Sequence, residues 1–265
     1  MVQDLLRVGL IGYGAIGQDV SRLVAERVSG DITLVGALVR DLTRTRPSGP
    51  GLFTTSEALL TAQPQVVVEV AGHEGLREHG ATILRAGVDL LLVSVGALAE
   101  PTVMRELLDA AQEGNAQMKV VSGAIGALDA IAAAAAGGGL IKVLHTMRKP
   151  PHTLLAPQEA SRLTSALEVF RGTARHAVLQ FPEYLNVAAS VALAGNGFDL
   201  TEVVVLADPT VKHSRHEILA EGDFGRLQFA IENAPITSNP ARGARLVSMS
   251  IIHTLLLRRT LFAIG

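Results

Sequence analysis

The sequence predicts an α/β protein: a doubly wound parallel sheet with helices on both faces, joined to a second, α+β domain. Three observations carry this. Strand-length and helix-length segments alternate through residues 1–122. The strand-length runs are apolar throughout, as strands are when helices cover both faces of a sheet. Beyond about residue 122 the alternation stops, and three strand-like runs follow one another with no helix between them. Such a succession marks a separate antiparallel or mixed sheet.

The first strand falls at Arg7–Ile11 and runs straight into Gly12-Tyr-Gly14-Ala15-Ile16-Gly17 and a helical segment, Gln18–Val28. In this strand–turn–helix setting each glycine has a task. Gly12 permits the tight turn, Gly14 lets a pyrophosphate approach the backbone, and Gly17 lets the helix lie against the strand. The helix N-terminus points unpaired N–H groups at the phosphates. The stretch, including Ala15 and Ile16, therefore predicts a dinucleotide cradle. The second strand, Ile32–Val39, leads into Arg40-Asp41, with Arg44 and Arg46 behind. Arg40 stands about where an NAD site keeps an acid for the ribose hydroxyls. Of NAD and NADP, the sequence leans to NADP, whose 2′-phosphate an arginine accommodates. A solvated basic loop is the plainer reading of the same arginines.

Further strands are expected at Val66–Val70, Leu90–Val93 and Lys119–Val121, and helices at Ser56–Leu60, Glu74–Ala86 and Thr102–Gln112. Thr54 and Glu57 have capping-box spacing, and Pro101 suits a first helical position. The strand tips are small-residue turns: Ala71-Gly72-His73, Ser94-Val-Gly-Ala97 and Ser122-Gly-Ala124. Ligands of open α/β sheets lie beyond the carboxyl ends of the strands, so Ala71, Gly72 and Ala97 are expected beside the cofactor.

The second domain is expected over 123–240. It holds a helix at Ala127–Ala136, a strand at Ile141–Arg148, and a loop from Pro150 to about Leu163. Helices at Thr173–Phe181 and Asn186–Ala194 precede strands at Glu202–Ala207, His216–Glu221 and Arg226–Glu232. A last apolar helix, Ala244–Ile264 within 241–265, is expected to return to the first domain.

Composition narrows the function classes. Across 265 residues the formal charge is −2, there is no cysteine, and aromatic residues make up 3%. Disulfides, thiolate nucleophiles and Cys-based metal sites are excluded. Nucleic-acid binding is not expected, and no glycine-free apolar run suits a bilayer. With no secretory signal in view, the expected setting is cytoplasmic. Of the eight histidines, His213 and His216 are three apart. In a strand they face opposite sides and lack a third ligand, so no metal site is expected.

Several motifs carry a resemblance that runs nearly end to end. They are Val68-Glu-Val-Ala-Gly-His73, Val93-Ser-Val-Gly-Ala-Leu98, Ser122-Gly-Ala-Ile-Gly-Ala-Leu-Asp129 and Arg148-Lys-Pro-Pro151. Phe181-Pro182, Asn186-Val-Ala-Ala189, Asp208-Pro209, His216-Glu217, Glu221-Gly-Asp-Phe-Gly225 and Asn239-Pro240 continue it. In these the chain resembles the L-aspartate dehydrogenases. The resemblance implies a Rossmann domain with an α+β substrate domain, a homodimer, and reversible NAD(P)-dependent oxidation of L-aspartate. The product, iminoaspartate, hydrolyses to oxaloacetate and ammonia or feeds NAD synthesis. His216 aligns with the family's active-site histidine, and Ala124 and Asn186 align with its cofactor contacts near the nicotinamide.

The chemistry agrees. Hydride transfer from an amine requires the amine neutral, and imine hydrolysis requires an activated water; one histidine can serve both. Two substrate carboxylates call for cations, for which Arg148 and Lys149 are candidates beside the possible perturbing acids Glu69 and Asp129. Glu183 and Tyr184 replace the family's usual Lys and Asn, Ser214 replaces an Asn, and Ala241-Arg242-Gly243 replaces Lys-Thr-Ser. These departures keep two alternatives open: a related amino-acid or imine oxidoreductase with another substrate, and a dinucleotide-binding protein without catalysis.

Overall fold

The computed structural model describes residues 4–234 and 245–262. They form two compact units, one drawn from Met1–Gly123 and Ile236–Gly265, the other from Ala124–Pro235.

The first unit opens with β1 (Leu6–Ile11), α1 (Ala15–Arg27), β2 (Ile32–Leu38), β3 (Leu52–Phe53) and α2 (Ser56–Thr61). It continues with β4 (Val66–Glu69), α3 (His73–Arg85), β5 (Asp89–Leu92), a 3-10 turn (Val95–Ala99), α4 (Pro101–Gly114) and β6 (Met118–Val120). The strands are all parallel, in the order β3-β2-β1-β4-β5-β6. From β1 the chain winds one way to β3, then crosses back to β4 and winds the other way. The reversal leaves a switch point between β1 and β4, where doubly wound sheets bind ligands. The central strands are apolar because both faces are covered: Val66, Val67 and Val68 are all fully buried.

Local chemistry moved two expected boundaries. Helix α1 starts at Ala15, three residues early, because Gly14 itself takes the N-cap position. Helix α2 is capped by Thr55 and not by Thr54: the Thr55 hydroxyl accepts from Ala58 N–H at 3.2 Å. Ser56 is turned inward, its Oγ 3.1 Å from His79 Nδ1 on α3, which fixes the start of the helix. Glu57 thus falls one position short of a capping box.

The second unit comprises α5 (Leu128–Ala136), β7 (Leu140–Lys149), a 3-10 turn (Pro151–Thr153), α6 (Pro157–Ala160), β8 (Leu167–Thr173) and α7 (Ala174–Gln180). It ends with α8 (Asn186–Ala194), β9 (Glu202–Ala207), β10 (Arg215–Gly222) and β11 (Gly225–Glu232). Its sheet is mixed, in the order β11-β10-β7-β9-β8, with β7 and β9 parallel and the other pairs antiparallel. One face carries a core in which Val143, Ile218 and Ala220 meet Ile131 of α5 and Val191 of α8.

Helix α9 (Arg245–Leu256) belongs to the first unit and packs on α1. It ends earlier than its apolar sequence suggests, and Arg258 just beyond it pairs with Asp89. Ala244, Asn239-Pro240 and Ala241-Arg242-Gly243 lie outside the described residues.

Candidate active site

At the tip of β1 the three motif glycines divide the work by geometry. Gly12 has φ +99°, and a Cβ there would sit 2.9 Å from the Val70 carbonyl oxygen and 3.0 Å from Ala71 Cα. Gly17 is closed in as well, since an added Cβ would lie 2.6 Å from the Gly12 carbonyl oxygen. Gly14 differs from both: it is exposed, and a Cβ would meet nothing within 4 Å. It caps α1 with no side-chain hydrogen bond, so the first N–H groups of the helix remain for a ligand. Ala15 and Ile16 are half-buried behind it. A cradle walled by backbone and open at Gly14 fits a pyrophosphate.

The tip of β4 lies against this turn, as the closeness of Ala71 to Gly12 shows. Ala71 and Gly72 are exposed, and Gly72, at φ +92°, again has open space where a Cβ would stand. Glu69 organises both. Its Oε1 accepts from Ala71 N–H at 2.7 Å, Gly72 N–H at 3.0 Å and Ser94 Oγ at 2.8 Å, and its Oε2 from Ser94 N–H at 2.9 Å. Burial pushes its carboxyl pKa up, and these donors act in the opposite direction. Glu69 is therefore the pin between the tips of β4 and β5. Ala97 sits inside the 3-10 turn at 1% exposure, so its side chain presents no surface to a ligand. Glu69→Ala is expected to lower unfolding free energy by about 2–4 kcal/mol, because several donors lose their acceptor together. A denaturant melt showing under about 1 kcal/mol would contradict the pinning role.

Arg40 follows β2 on an exposed loop. The neighbouring acid is already engaged: Asp41 Oδ1 accepts from Thr43 N–H at 2.8 Å and Thr43 Oγ1 at 2.7 Å, which holds its pKa below the usual range. Arg46 Nη1 donates to the Asp41 and Arg44 carbonyls at 2.8 and 3.0 Å. Tyr13, within the glycine motif, packs against Gly49 of the same loop.

In the second unit, His216 lies on β10 opposite Met147 of β7. Because successive side chains alternate between faces, the neighbours of Met147 on its own face are His145 and Lys149. His145 Nε2 is 3.1 Å from His216 Nδ1, and the two rings are 0% and 5% exposed. Lys149 places Nζ 3.7 Å from the centre of the Tyr184 ring, a cation–π contact. Burial lowers Lys149 to about 8 against the opposing pull of Glu183. His216 is lowered to about 4, first by burial and then by the charge of Lys149. It is neutral at physiological pH.

The two candidate cations separate here. Arg148, on the other face of β7, pairs with Asp208 at 2.9 Å and Glu217 at 3.3 Å. Asp208 is itself fixed by Thr210 N–H and Oγ1. Arg148 is thus a brace between strands, and Lys149 is the cation beside the histidine. Ala124 is held by its carbonyl, which accepts from Asn233 Nδ2 at 2.8 Å, and Asn186 opens α8. Asp129 is exposed in the first turn of α5, where an acid favours the helix dipole. His213 precedes β10 and is exposed. Sequence reasoning missed His145, whose signal is faint: it shares the odd-numbered face of β7 with Lys149.

A parallel sheet of this order with a glycine cradle at its switch point defines a Rossmann-type dinucleotide-binding protein carrying a second α/β domain. Residues 12–120 match the family model described as homoserine dehydrogenase, NAD binding domain, and residues 129–258 match aspartate dehydrogenase, C-terminal. The L-aspartate dehydrogenase of Ruegeria pomeroyi is 43% identical over 259 residues, covering 95% of this chain and 92% of the relative. That of Ralstonia pickettii is 40% identical over 260 residues, covering 95% and 97%. Among solved structures, the aspartate dehydrogenase of Thermotoga maritima superposes with a TM-score of 0.79 at 25% identity, covering 99% of this chain and 100% of that one. The chain belongs to the L-aspartate dehydrogenase family.

Proposed function

We propose that this chain oxidises L-aspartate reversibly to iminoaspartate with NAD or NADP, the imine then hydrolysing to oxaloacetate and ammonia. The bound nicotinamide supplies the hydride acceptor. The first unit's part is to hold the dinucleotide through the glycine turn and the open N-terminus of α1. The second unit's part is proton transfer and charge. His216 takes a proton from the substrate ammonium before hydride leaves and releases it to solvent; it then takes a proton from the water that attacks the imine and passes it to the departing amine. Lys149 offers a cation to a substrate carboxylate. The observation that carries this reading is the placement of His216, aligned with the family's active-site histidine, beside the half-buried Lys149.

The family resemblance brings with it a homodimer, a cytoplasmic setting and delivery of the imine to pyridine-nucleotide synthesis. Among the described residues no helix is long and apolar enough to cross a membrane. Reduced cofactor formed from L-aspartate, and consumed with oxaloacetate and ammonia, tests the activity; no turnover in either direction would sink it. One charge favours a second reading, a different amino acid: the field of Glu183 reaches Lys149, where it competes with a substrate carboxylate. A substrate panel in the same assay separates the two, since a higher kcat/KM for a monocarboxylate would displace aspartate.

The exposed position of Arg40 directly after β2 supports NADP over NAD, because a guanidinium there can meet the 2′-phosphate. Arg40→Ala is expected to raise KM for NADP about tenfold and leave KM for NAD unchanged, the loss of one charged hydrogen bond. A strong NAD preference in the parent protein would overturn the assignment.

A further inference from the structure

No step of the proposed reaction uses His145, yet it is fully buried and touches the proton-carrying histidine. Its contact with His216 is specific. The N···N separation is 3.1 Å, the ring centres are 5.3 Å apart and the ring planes differ by 9°. That centre-to-centre distance is nearly the N···N separation plus the two ring radii. The N···N vector must then run along the line through both centres, within both ring planes. The rings lie edge to edge, as an in-plane N–H···N hydrogen bond requires, and not face to face.

A second feature marks the pair. His145 Nδ1 is buried with no hydrogen-bond partner among the described residues. Whichever neutral tautomer His145 adopts, that atom is an orphan, as a bare nitrogen or as an unpaired N–H. An orphan of this kind destabilises the fold, and an apolar residue of similar volume would avoid it. Stability does not explain a histidine here; its other ring nitrogen does.

We propose that His145 is a positioning residue that fixes the ring plane and tautomer of His216 by accepting its Nδ1–H at Nε2. This rests on the reading of His216 as the base. The proton on His216 is then held at Nδ1, and its Nε2 keeps a lone pair. When Nε2 takes a proton, the imidazolium keeps its Nδ1–H bond to His145 and the charge stays on His216. An uncharged acceptor orients the ring as a carboxylate would, while raising its basicity less. It suits a base that must be unprotonated at rest in a dry site.

Nitrogen-15 NMR of the histidine side chains in the resting protein tests this without reference to activity. Signals are assigned with His145→Gln and His216→Gln variants. The expected spectrum has neutral His216 protonated at Nδ1. His145→Leu should release the tautomer towards Nε2–H and lower kcat at least about tenfold, with KM for the amino acid changed far less. His145→Gln, whose amide oxygen can accept the same proton, should restore the tautomer and most of kcat. His216 protonated at Nε2 in the parent protein overturns the proposal, as does an unchanged tautomer in His145→Leu. If the leucine variant does not fold, the parent spectrum and the glutamine variant decide. Failure of the proposed reaction would show instead as absent turnover in a parent protein with the expected spectrum.

Discussion

Replacing His216 with alanine is expected to lower kcat by about 10²–10⁴-fold, the usual contribution of one general acid–base group. The cofactor Kd should move far less, because His216 is no part of the glycine turn that holds the pyrophosphate. The pH dependence sharpens the test. A base must be unprotonated, so activity carried by His216 is present above its pKa and lost as pH falls through it. Burial and the nearby Lys149 charge lower that pKa to about 4. The acid limb of kcat/KM should therefore lie well below the range of an ordinary histidine. Lys149 acts on the other side: a cation is present below its pKa of about 8, and KM for a carboxylate substrate should rise as pH climbs through that value. An alanine variant with near-normal kcat would remove His216 from the mechanism. An acid limb near the ordinary histidine pKa would point to another base.

The second large effect contrasts two glycines of one motif. At Gly14 an added side chain enters open space, so Gly14→Val should leave the melting temperature almost unchanged. It blocks the approach of a phosphate to the helix N–H groups, each such bond being worth about 1.5–3 kcal/mol. With two bonds lost, cofactor Kd should rise about a hundredfold or more. Gly17→Ala should do something different, because its Cβ would lie 2.6 Å from a backbone oxygen that cannot step aside cheaply. The expected loss is about 1–3 kcal/mol of stability, or several degrees in Tm. Cofactor titration and thermal melts on both variants read the contrast directly. Undiminished cofactor affinity in Gly14→Val would mean that the dinucleotide lies elsewhere.

Much of this was legible because periodicity and glycine chemistry are local. The strands of the first unit announce themselves as unbroken apolar runs, and the glycine motif names its own geometry. What escaped were elements defined by partners distant in sequence. Strand β8, Leu-Glu-Val-Phe-Arg-Gly-Thr, lies at a sheet edge with a bulge between Glu168 and Phe170, so neither face imposes clean alternation. The two-residue β3 is too short to carry a period. The cap of α2 passed from Thr54 to Thr55 because buried His79 claims Ser56, a contact across 23 residues. Arg148 and Lys149 are equivalent as adjacent letters; only the β7 register sends one to Asp208 and the other towards His216. Glu69 reads as a stray charge until Ser94, 25 residues later, supplies its donors.

The discontinuity of the first unit bears on how the chain is made. Helix α1 ends at Arg27, whereas its packing partner α9 begins at Arg245. At about 5–20 residues per second, ribosomal synthesis reaches that partner ~10–40 s after α1 emerges. Until then the nascent sheet carries α1 with one flank bare, although every strand of that sheet has been synthesised by Val120. The whole second unit is translated inside this interval. Closure of the first unit is thus a late, long-range event, and premature termination within the second unit leaves apolar helix surface open to chaperones and to aggregation.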